Sequence, residues 1–335
     1  MQFARPLNPV VRPGVQVSFS DISGAARPGI EGELGDSDPF TGMQGRDTPW
    51  VTVGEESDPT LIKIGVRAGG GTSAGSACIF LKDPLALRVA GTGKVLRTYF
   101  EVALRADETM DGSRGEGLVL AFVPTKRDSG PPRYNDSLPI CGGDGQNLGF
   151  QSGASGNFPD SNKFGVEIDT HSNAALRSSI ADPVNNHLAI DRNRVEHQNS
   201  AGPKCVAGVP GSLSEPPTGC FAHPGNRDWL EAGKTAFHQL RVEVHANGAA
   251  KLPGECASGE AAILAWLFES TGQCTENCDD LHTNYTNSGR QAAAFVKHCL
   301  SVPHDDVRIG LTTGYDRLSS EPVLRNFGTG SYSSP

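Results

Sequence analysis

Aromatic residues make up only 7% of this 335-residue chain, and no apolar run approaches the ~18 residues that a membrane-spanning helix needs. Basic residues are also in deficit, because 29 lysines and arginines face 38 aspartates and glutamates and leave a net charge of −9. Binding to nucleic acid requires a basic face. The G-x-x-x-x-G-K-[ST] motif of phosphate-binding loops is missing as well. We therefore expect no membrane span and no nucleic-acid partner.

Long helical patterns are scarce too, and the only helical candidate is the short segment Arg290–Cys299. The 41 glycines and 23 prolines favour many turns between short strands. Strand-like segments recur along the chain without the alternating helices of βαβ units, which predicts an all-β fold of two packed antiparallel sheets. These segments are Val15–Phe19, Leu61–Val66, Cys78–Leu85, Val95–Leu104, Gly117–Val123, Lys163–Asp169, His187–Asp191, Phe237–His245, Ala262–Phe268, Val307–Thr313 and Val323–Phe327.

Hydrophobic patterning separates two kinds of strand. Gly117–Val123 is nearly all apolar, which predicts burial of both of its faces. Val95–Leu104 mixes aromatic and β-branched residues with polar ones, which is typical of a half-buried strand. In Phe237–His245 the apolar residues alternate with polar ones in the same way.

The eight cysteines form an even set, and most of them lie in segments rich in glycine and proline. This favours disulfides and an oxidising compartment, so we expect a secreted, cell-surface or secretory-pathway lumenal protein. Cys205–Cys220 is the pairing we expect first, because it would close one long insert. The cysteines are Cys78, Cys141, Cys205, Cys220, Cys256, Cys274, Cys278 and Cys299.

Three further features bear on this assignment. The sequons that begin at Asn135 and Asn284 would accept glycans in a eukaryotic secretory host. Cys274, Cys278 and His282 could instead belong to a zinc site, but they lack the paired C-x-x-C spacing of structural zinc modules. The residues from Met1 onward lack the apolar core of a signal peptide, so we expect a leader to have been removed or this segment to belong to a precursor.

One stretch concentrates metal-ligand chemistry on a strand, a loop and the next strand. Residues two apart on a strand share a face, so the acidic and polar side chains of this stretch are expected to point one way. Carboxylate and amide oxygens suit calcium, and an imidazole beside carboxylates suits a transition ion. The sequence therefore predicts two adjacent cation sites. The candidate residues are Glu167, Asp169, His171, Asn173, Asp182 and His187.

The pattern E-x-D-x-x-x-N followed by D-P-x-x-x-H-x-x-I-D resembles that of the legume-type (L-type) lectin family. The resemblance covers most of the chain and implies a concanavalin A-like jelly-roll sandwich in a single domain over residues 1–335. Residues 196–232 and 271–300 have no family counterpart, so they are expected to be loop insertions that hold cysteines. The resemblance implies a non-catalytic, calcium-dependent carbohydrate-binding protein with glycans or glycoproteins as partners.

Carried over by position, the resemblance implies two ligand sets. Glu167, Asp169, Asp182 and His187 would bind a manganese-like ion. Calcium would take the two aspartates, Asn173 and the backbone carbonyl of His171, so that both ions share Asp169 and Asp182.

The resemblance also implies a sugar site in which the metals hold a loop rigid. Its acid would be Glu116, its backbone donors would come from the glycine loop at Gly143 and Gly145, and its amide would be Asn173, with His171 beside the sugar. Two of these positions depart from the family, which normally has Asp at position 116 and an aromatic residue at position 171. Each departure changes how a hydroxyl group or a sugar ring would be contacted.

Two other functions remain open at the level of sequence. A structural or assembly protein could keep the lectin sandwich without binding sugar, as a homo-oligomer or in a larger assembly, because fold alone does not establish function. A glycoside hydrolase on a similar sandwich would carry E-x-D-x-x-E on one strand. Glu167 and Asp169 begin that pattern, but Ser172 stands where the second Glu would be.

Overall fold

The computed structural model describes sixteen β-strands together with residues 142, 148–151, 163, 170, 230, 237, 256–257 and 260. No helix that could span a membrane occurs in this part of the chain. The strands are β1 (Phe40–Thr41), β2 (Pro49–Val53), β3 (Ile62–Val66), β4 (Gly75–Leu81), β5 (Leu85–Ala86), β6 (Lys94–Ala106), β7 (Gly117–Pro124), β8 (Phe164–Asp169), β9 (His187–Arg192), β10 (Val206–Ala207), β11 (Cys220–Ala222), β12 (His238–His245), β13 (Ala261–Phe268), β14 (Ala294–Leu300), β15 (Asp306–Tyr315) and β16 (Ser320–Ser333).

These strands form two sheets. Sheet A runs in the order β1-β4-β15-β7-β8-β9-β11-β10, with β5 also paired to β15, and sheet B runs in the order β14-β13-β12-β6-β16-β3-β2. The pairing is antiparallel between all described neighbours except β10 and β11, which are parallel. The predicted all-β sandwich of two antiparallel sheets is confirmed.

The main hydrophobic core contains alternate residues from the strands of both sheets. Sheet A contributes Leu118 and Ile168 among others, and sheet B contributes Phe100, Val242 and Ile263. All five side chains are at most 2% exposed. Because side chains alternate across a strand, their chain neighbours must point to the outer faces of the sheets.

The outer face of sheet A holds a second apolar cluster. Val119, Ala121 and Val123 from β7 join Cys78 and Phe80 from β4 there. Leu148 and Phe150, which precede the sheet strands β8 and β9 in sequence, complete the cluster and are fully buried. The prediction that both faces of the Gly117–Val123 strand are buried is therefore confirmed.

The helical prediction for Arg290–Cys299 is wrong where it can be compared. Ala294–Leu300 forms strand β14, which pairs antiparallel with β13 along its whole length. Its buried residues Val296 and Leu300 enter the main core. A run of seven residues has no decisive local preference, so the edge offered by β13 determines its conformation.

The two predicted insertions also contribute to the sheets. β10 and β11 lie within residues 196–232, and β11 pairs with β9 through Phe221 and Leu188. These two short strands extend sheet A beyond β9. The end of the second predicted insertion, Ala294–Leu300, forms strand β14 of sheet B rather than a loop. The predicted strand Val15–Phe19 lies outside the described residues.

Most of the described side chains on the outer face of sheet B along β6, β12 and β13 are buried, contrary to the half-buried pattern expected for β6 and β12. Glu243 lies at the centre of an ion cluster on this face. Its Oε1 lies 2.9 Å from Arg97 Nε and 2.5 Å from an Arg241 guanidinium nitrogen, and its Oε2 lies 2.8 Å from His245 Nε2. All four residues are at most 6% exposed. Charged groups tolerate burial when they are paired in this way.

Disulfides contribute to the fold as expected. Cys256 is bonded to Cys299 of β14, at a separation of 43 positions in sequence. Cys78 is also disulfide-bonded. Among the described residues no cysteine is free. In the predicted pair Cys205–Cys220, Cys205 lies outside the described part of the chain. The sequons that begin at Asn135 and Asn284 also lie outside it.

His238 gives the fold a pH dependence that can be measured. Burial lowers the pKa of its imidazole from 6.5, although hydrogen bonds with the backbone of Leu230 and Phe268 oppose this shift. The ring Nε2 lies 3.0 Å from the Leu230 carbonyl oxygen. With a depressed pKa in the folded state, the unfolded state takes up the proton first as the pH falls. The stabilisation is complete above pH 6.5 and is lost as the pH falls from there through the folded-state pKa.

We therefore expect the free energy of unfolding of the wild type to fall more steeply below pH 6.5 than that of His238→Gln. Denaturant titrations at a series of pH values measure this difference, and chelator is present for both proteins so that no metal ion contributes to it. Parallel pH profiles for the two proteins would contradict the assignment.

Candidate functional site

Three predicted metal ligands lie together at one end of sheet A. In the register of the sheet, Asp169 at the end of β8 faces His187 at the start of β9. Glu167 lies two residues before Asp169, so its side chain is on the same face. His187 Nε2 is 3.9 Å from Asp169 Oδ2 and 4.0 Å from Glu167 Oε2. One ligand atom from each of the three residues lies within 4.8 Å of the other two.

Burial of this triad raises the free-energy cost of the charges on its two carboxylates. Glu167 is 0%, Asp169 1% and His187 3% exposed. Two carboxylates so close together repel each other, and removal from water raises the cost of their charges. A divalent cation between them would offset both penalties. Two carboxylate oxygens and one imidazole nitrogen are a donor set that fits a manganese-like ion, whereas calcium would need more oxygen ligands.

The other half of the predicted metal site is not described. Residues 171–186, with the candidates His171, Asn173 and Asp182, lie outside the described residues. The segment before them is described, and Thr170 is 5% exposed.

Gly117 lies between β8 and the position predicted for the sugar-binding acid. It begins β7, directly after Glu116, and faces Asp169 in the register of the sheet. Its φ of 121° is in the region that favours glycine. A Cβ at this position would lie 2.1 Å from the Ile168 carbonyl oxygen and 3.0 Å from Asp169 Cα. Only glycine therefore allows β7 to approach β8 here. Glu116 itself lies outside the described residues.

The two ends of the predicted glycine loop are held together. The amide of Gly142 donates to the carbonyl oxygen of Gly149 over 2.7 Å. The hydroxyl of Ser76 donates to the carbonyl oxygen of Gly142 over 2.9 Å, which ties the loop to β4. Gly143 and Gly145, the predicted backbone donors, lie between these ends and outside the described residues.

Thr313 connects the glycine loop to the start of β7, next to β8. Its hydroxyl donates to the carbonyl oxygen of Gly117 over 2.6 Å. A Cβ at Gly149 would lie 2.8 Å from the Thr313 carbonyl oxygen, so the loop end packs directly on β15. The glycine loop, the residue after the predicted acid and the Asp169 ligand therefore share one end of sheet A.

Sequence reasoning missed several residues that build this site. Ser76 and Thr313 are ordinary strand residues in sequence, and no local signal singles them out. Lys163 is different, because period-two alternation places it on the same face as Glu167. Its position in the alternation was the available sequence signal, and the structure adds that the residue is only 1% exposed, which is unusual for a lysine.

Comparison with solved structures identifies the architecture. Lectin I from Ulex europaeus, in complex with the methyl glycoside of α-L-fucose, has a TM-score of 0.52 at 13% identity, with 95% of this chain and 98% of that chain covered. The metal-free form of Griffonia simplicifolia lectin I-B4 has a TM-score of 0.51 at 13% identity, with 95% and 99% covered. The fold is that of the legume lectins. No family model matches the chain, and no curated protein matches it.

A third solved structure agrees with this assignment. The lectin from Bauhinia forficata, in complex with GalNAc, has a TM-score of 0.50 at 13% identity, with 96% of this chain and all of that chain covered. The resemblance inferred from sequence is therefore confirmed for the lectin fold. At this low identity the agreement concerns the backbone alone.

Proposed function

We propose that this chain is a non-catalytic, calcium-dependent carbohydrate-binding protein in which cations order the sugar-binding residues. The observation that carries the proposal is the buried triad of Glu167, Asp169 and His187 at the end of a lectin-fold sheet. A manganese-like ion would take these three residues together with Asp182. A calcium ion would share both aspartates and add Asn173 with the carbonyl oxygen of His171.

The role of the cations is preorganisation. A shallow polar sugar site buries little apolar surface, so its affinity depends on groups that are already fixed when the sugar arrives. The described contacts support this role, because Thr313 and Gly117 link the metal strand β8 to the base of the glycine loop. Glu116, Gly143, Gly145, His171 and Asn173 are the residues proposed to contact the sugar.

The wider context of the proposal follows from the same fold. We propose that residues 1–335 form a single lectin-like domain. The Cys256–Cys299 disulfide supports an oxidising location, which is outside the cell, at its surface or in the secretory lumen. Glycans or glycoproteins are the proposed partners.

A binding experiment tests the proposal. Elemental analysis should find calcium and a second divalent ion in the purified protein. A glycan array should show binding in the ion-loaded state that is lost after chelator treatment, with isothermal titration to quantify the strongest glycan. Binding to no glycan in the ion-loaded state would overturn the proposal, and a stable protein partner in that case would favour a structural role.

The same samples test the hydrolase alternative. Release of reducing ends from a β-glucan that is lost in Glu167→Gln would establish hydrolysis. The sequence also contains a motif of another enzyme class. Residues 71–75 read G-T-S-A-G and match the G-x-S-x-G spacing of serine hydrolases around Ser73. That motif requires a following helix. Here Gly75 begins strand β4, which does not fit the motif.

A further inference from the structure

Lys163 is a buried charge that the metal site does not use. It directly precedes β8, and only 1% of the residue is exposed. Its ammonium group donates to the carbonyl oxygen of Phe150 over 2.5 Å. The same nitrogen lies 4.7 Å from the centre of the Phe150 ring. Both contacts hold Phe150, which directly follows Gly149 at the end of the glycine loop.

Gly165 makes room for this contact. A Cβ at Gly165 would lie 2.4 Å from Val119 Cγ1 and 3.2 Å from Phe150 Cε2. The absent side chain therefore leaves the space against β8 that the Phe150 ring needs. Lys163 and Gly165 together hold Phe150 on the outer face of sheet A, inside the second apolar cluster.

The loop end that Lys163 holds has an uncommon backbone conformation. Leu148 has a φ of 50° and Gly149 a φ of 65°. For a leucine this left-handed conformation costs on the order of 1–3 kcal/mol, and it persists only when the surroundings enforce it. Leu148 and Phe150 are fully buried, and the Gly142–Gly149 hydrogen bond closes the turn. Such strain is found preferentially where a loop must be held in one shape for binding.

One face of β8 thus carries two functions. From Lys163, just before the strand, to the end of β8, the outward-facing positions are Lys163, Gly165, Glu167 and Asp169. The first two position the glycine-loop end, and the last two face His187. With about 3.3 Å per residue, Lys163 lies roughly 20 Å along the strand from Asp169, so it does not act on a cation directly.

We infer that Lys163 is a positioning residue for the sugar-binding glycine loop, and that it acts through the backbone carbonyl of Phe150. This inference rests on the proposed function for the identity of the ligand. The anchoring itself can be tested without any sugar. Lys163 fixes the strained Leu148–Gly149 turn to the strand that carries the metal ligands, so that loop and cations keep one relative position.

The test compares Lys163→Met with the matched control Lys297→Met. Lys297 lies on β14 of sheet B and is only 8% exposed, so both variants remove a buried ammonium group and keep a chain of similar length. Hydrogen exchange is measured on peptides that cover residues 142–151, and Mn²⁺ affinity is measured by titration of the chelator-treated protein. Glycan binding is measured on the array used for the wild type.

In Lys163→Met we expect amide protection of residues 148–150 to fall roughly tenfold or more, the loss typical of a hydrogen bond to a charged group. Mn²⁺ affinity should stay within about threefold of wild type because no cation ligand is changed. Glycan binding should fall although the ions remain bound. Lys297→Met should leave loop protection and Mn²⁺ affinity as in the wild type.

Unchanged protection of residues 148–150 in Lys163→Met would overturn the inference, and so would a loss that is equal across all strands. If that variant does not fold, Lys163→Gln, which keeps a neutral donor, is measured in the same way. A smaller loss confined to the loop then supports the anchor, and wild-type protection overturns it. If the wild type binds no glycan, the proposed function fails while the exchange data still decide the role of Lys163.

Discussion

Asp169→Asn is expected to lower Mn²⁺ affinity by more than roughly 100-fold, because loss of a direct ligand exceeds the 10–100-fold cost of losing a residue that only supports a ligand. Asp169 belongs to the buried triad, and its Oδ2 lies 3.9 Å from Nε2 of His187. An amide keeps the shape of the side chain but removes the negative charge that attracts the cation. Isothermal titration of chelator-treated protein measures the change.

The same substitution should change stability in opposite directions with and without the ion. In chelator, Asp169→Asn removes one of two mutually repelling buried carboxylates, so its melting temperature should equal or exceed that of the wild type. In saturating Mn²⁺ the free energy of unfolding of the wild type should rise by about 2.7 kcal/mol at a free ion concentration of 100 times its Kd, and that of the variant should not rise. Thermal melts in the two buffers show whether the order of stability reverses.

Asp191→Asn is the matched control for this experiment. Asp191 lies on β9, is 1% exposed and faces Gly165 in the register of the sheet, outside the triad. It should bind Mn²⁺ as the wild type does. If Asp169→Asn keeps wild-type Mn²⁺ affinity, or if the two variants lose it equally, the triad is not the cation site.

Gly117→Ala should be the most destabilising single-methyl change at this end of sheet A. The new Cβ would meet the Ile168 carbonyl oxygen at 2.1 Å, and that oxygen belongs to the backbone of β8. Overpacking costs about 1–3 kcal/mol, and a non-glycine residue at a φ of 121° adds roughly 1–3 kcal/mol. We expect the free energy of unfolding to fall by about 3 kcal/mol or more, as measured by urea titration.

The effect should also reach the cation site, since relief of the clash moves Gly117 away from Asp169. Mn²⁺ affinity should therefore fall in a protein that is still folded. Ala121→Gly on the same strand is the control, because it changes one methyl group at an ordinary backbone position and should cost only about 1 kcal/mol. Equal losses from both changes would show that the close approach of β7 and β8 at Gly117 is unimportant.

Much of the site could be predicted because it depends on local periodicity. Alternation along β8 places Glu167 and Asp169 on one face whatever the rest of the fold does. The step to His187 required only the antiparallel pairing of two successive strands, which is a common arrangement. The apolar run at Gly117–Val123 likewise indicated burial on both faces, and the structure confirms it.

The remaining features depend on contacts between residues far apart in sequence. Ala294–Leu300 became a strand because β13 offered an edge, and no pattern within seven residues could show that. Glu243 and Arg97 meet only after β12 pairs with β6, so their alternation with apolar residues resembled a solvated face. The hydrogen bond from Thr313 to Gly117 joins residues 196 positions apart, so the sequence around either residue could not predict it.

The buried outer face of sheet B limits how copies of this chain could associate. Leu264, Trp266 and Phe268 lie on that face beside the Glu243 ion cluster, and none of the three is more than 3% exposed. A second molecule could reach these side chains only if the chain first uncovered them. Docking through this face would then carry the penalty of exposing apolar area and separating ion pairs within each subunit. Any self-assembly is therefore expected to proceed through other parts of the molecule, and its strength should depend little on substitutions such as Trp266→Phe.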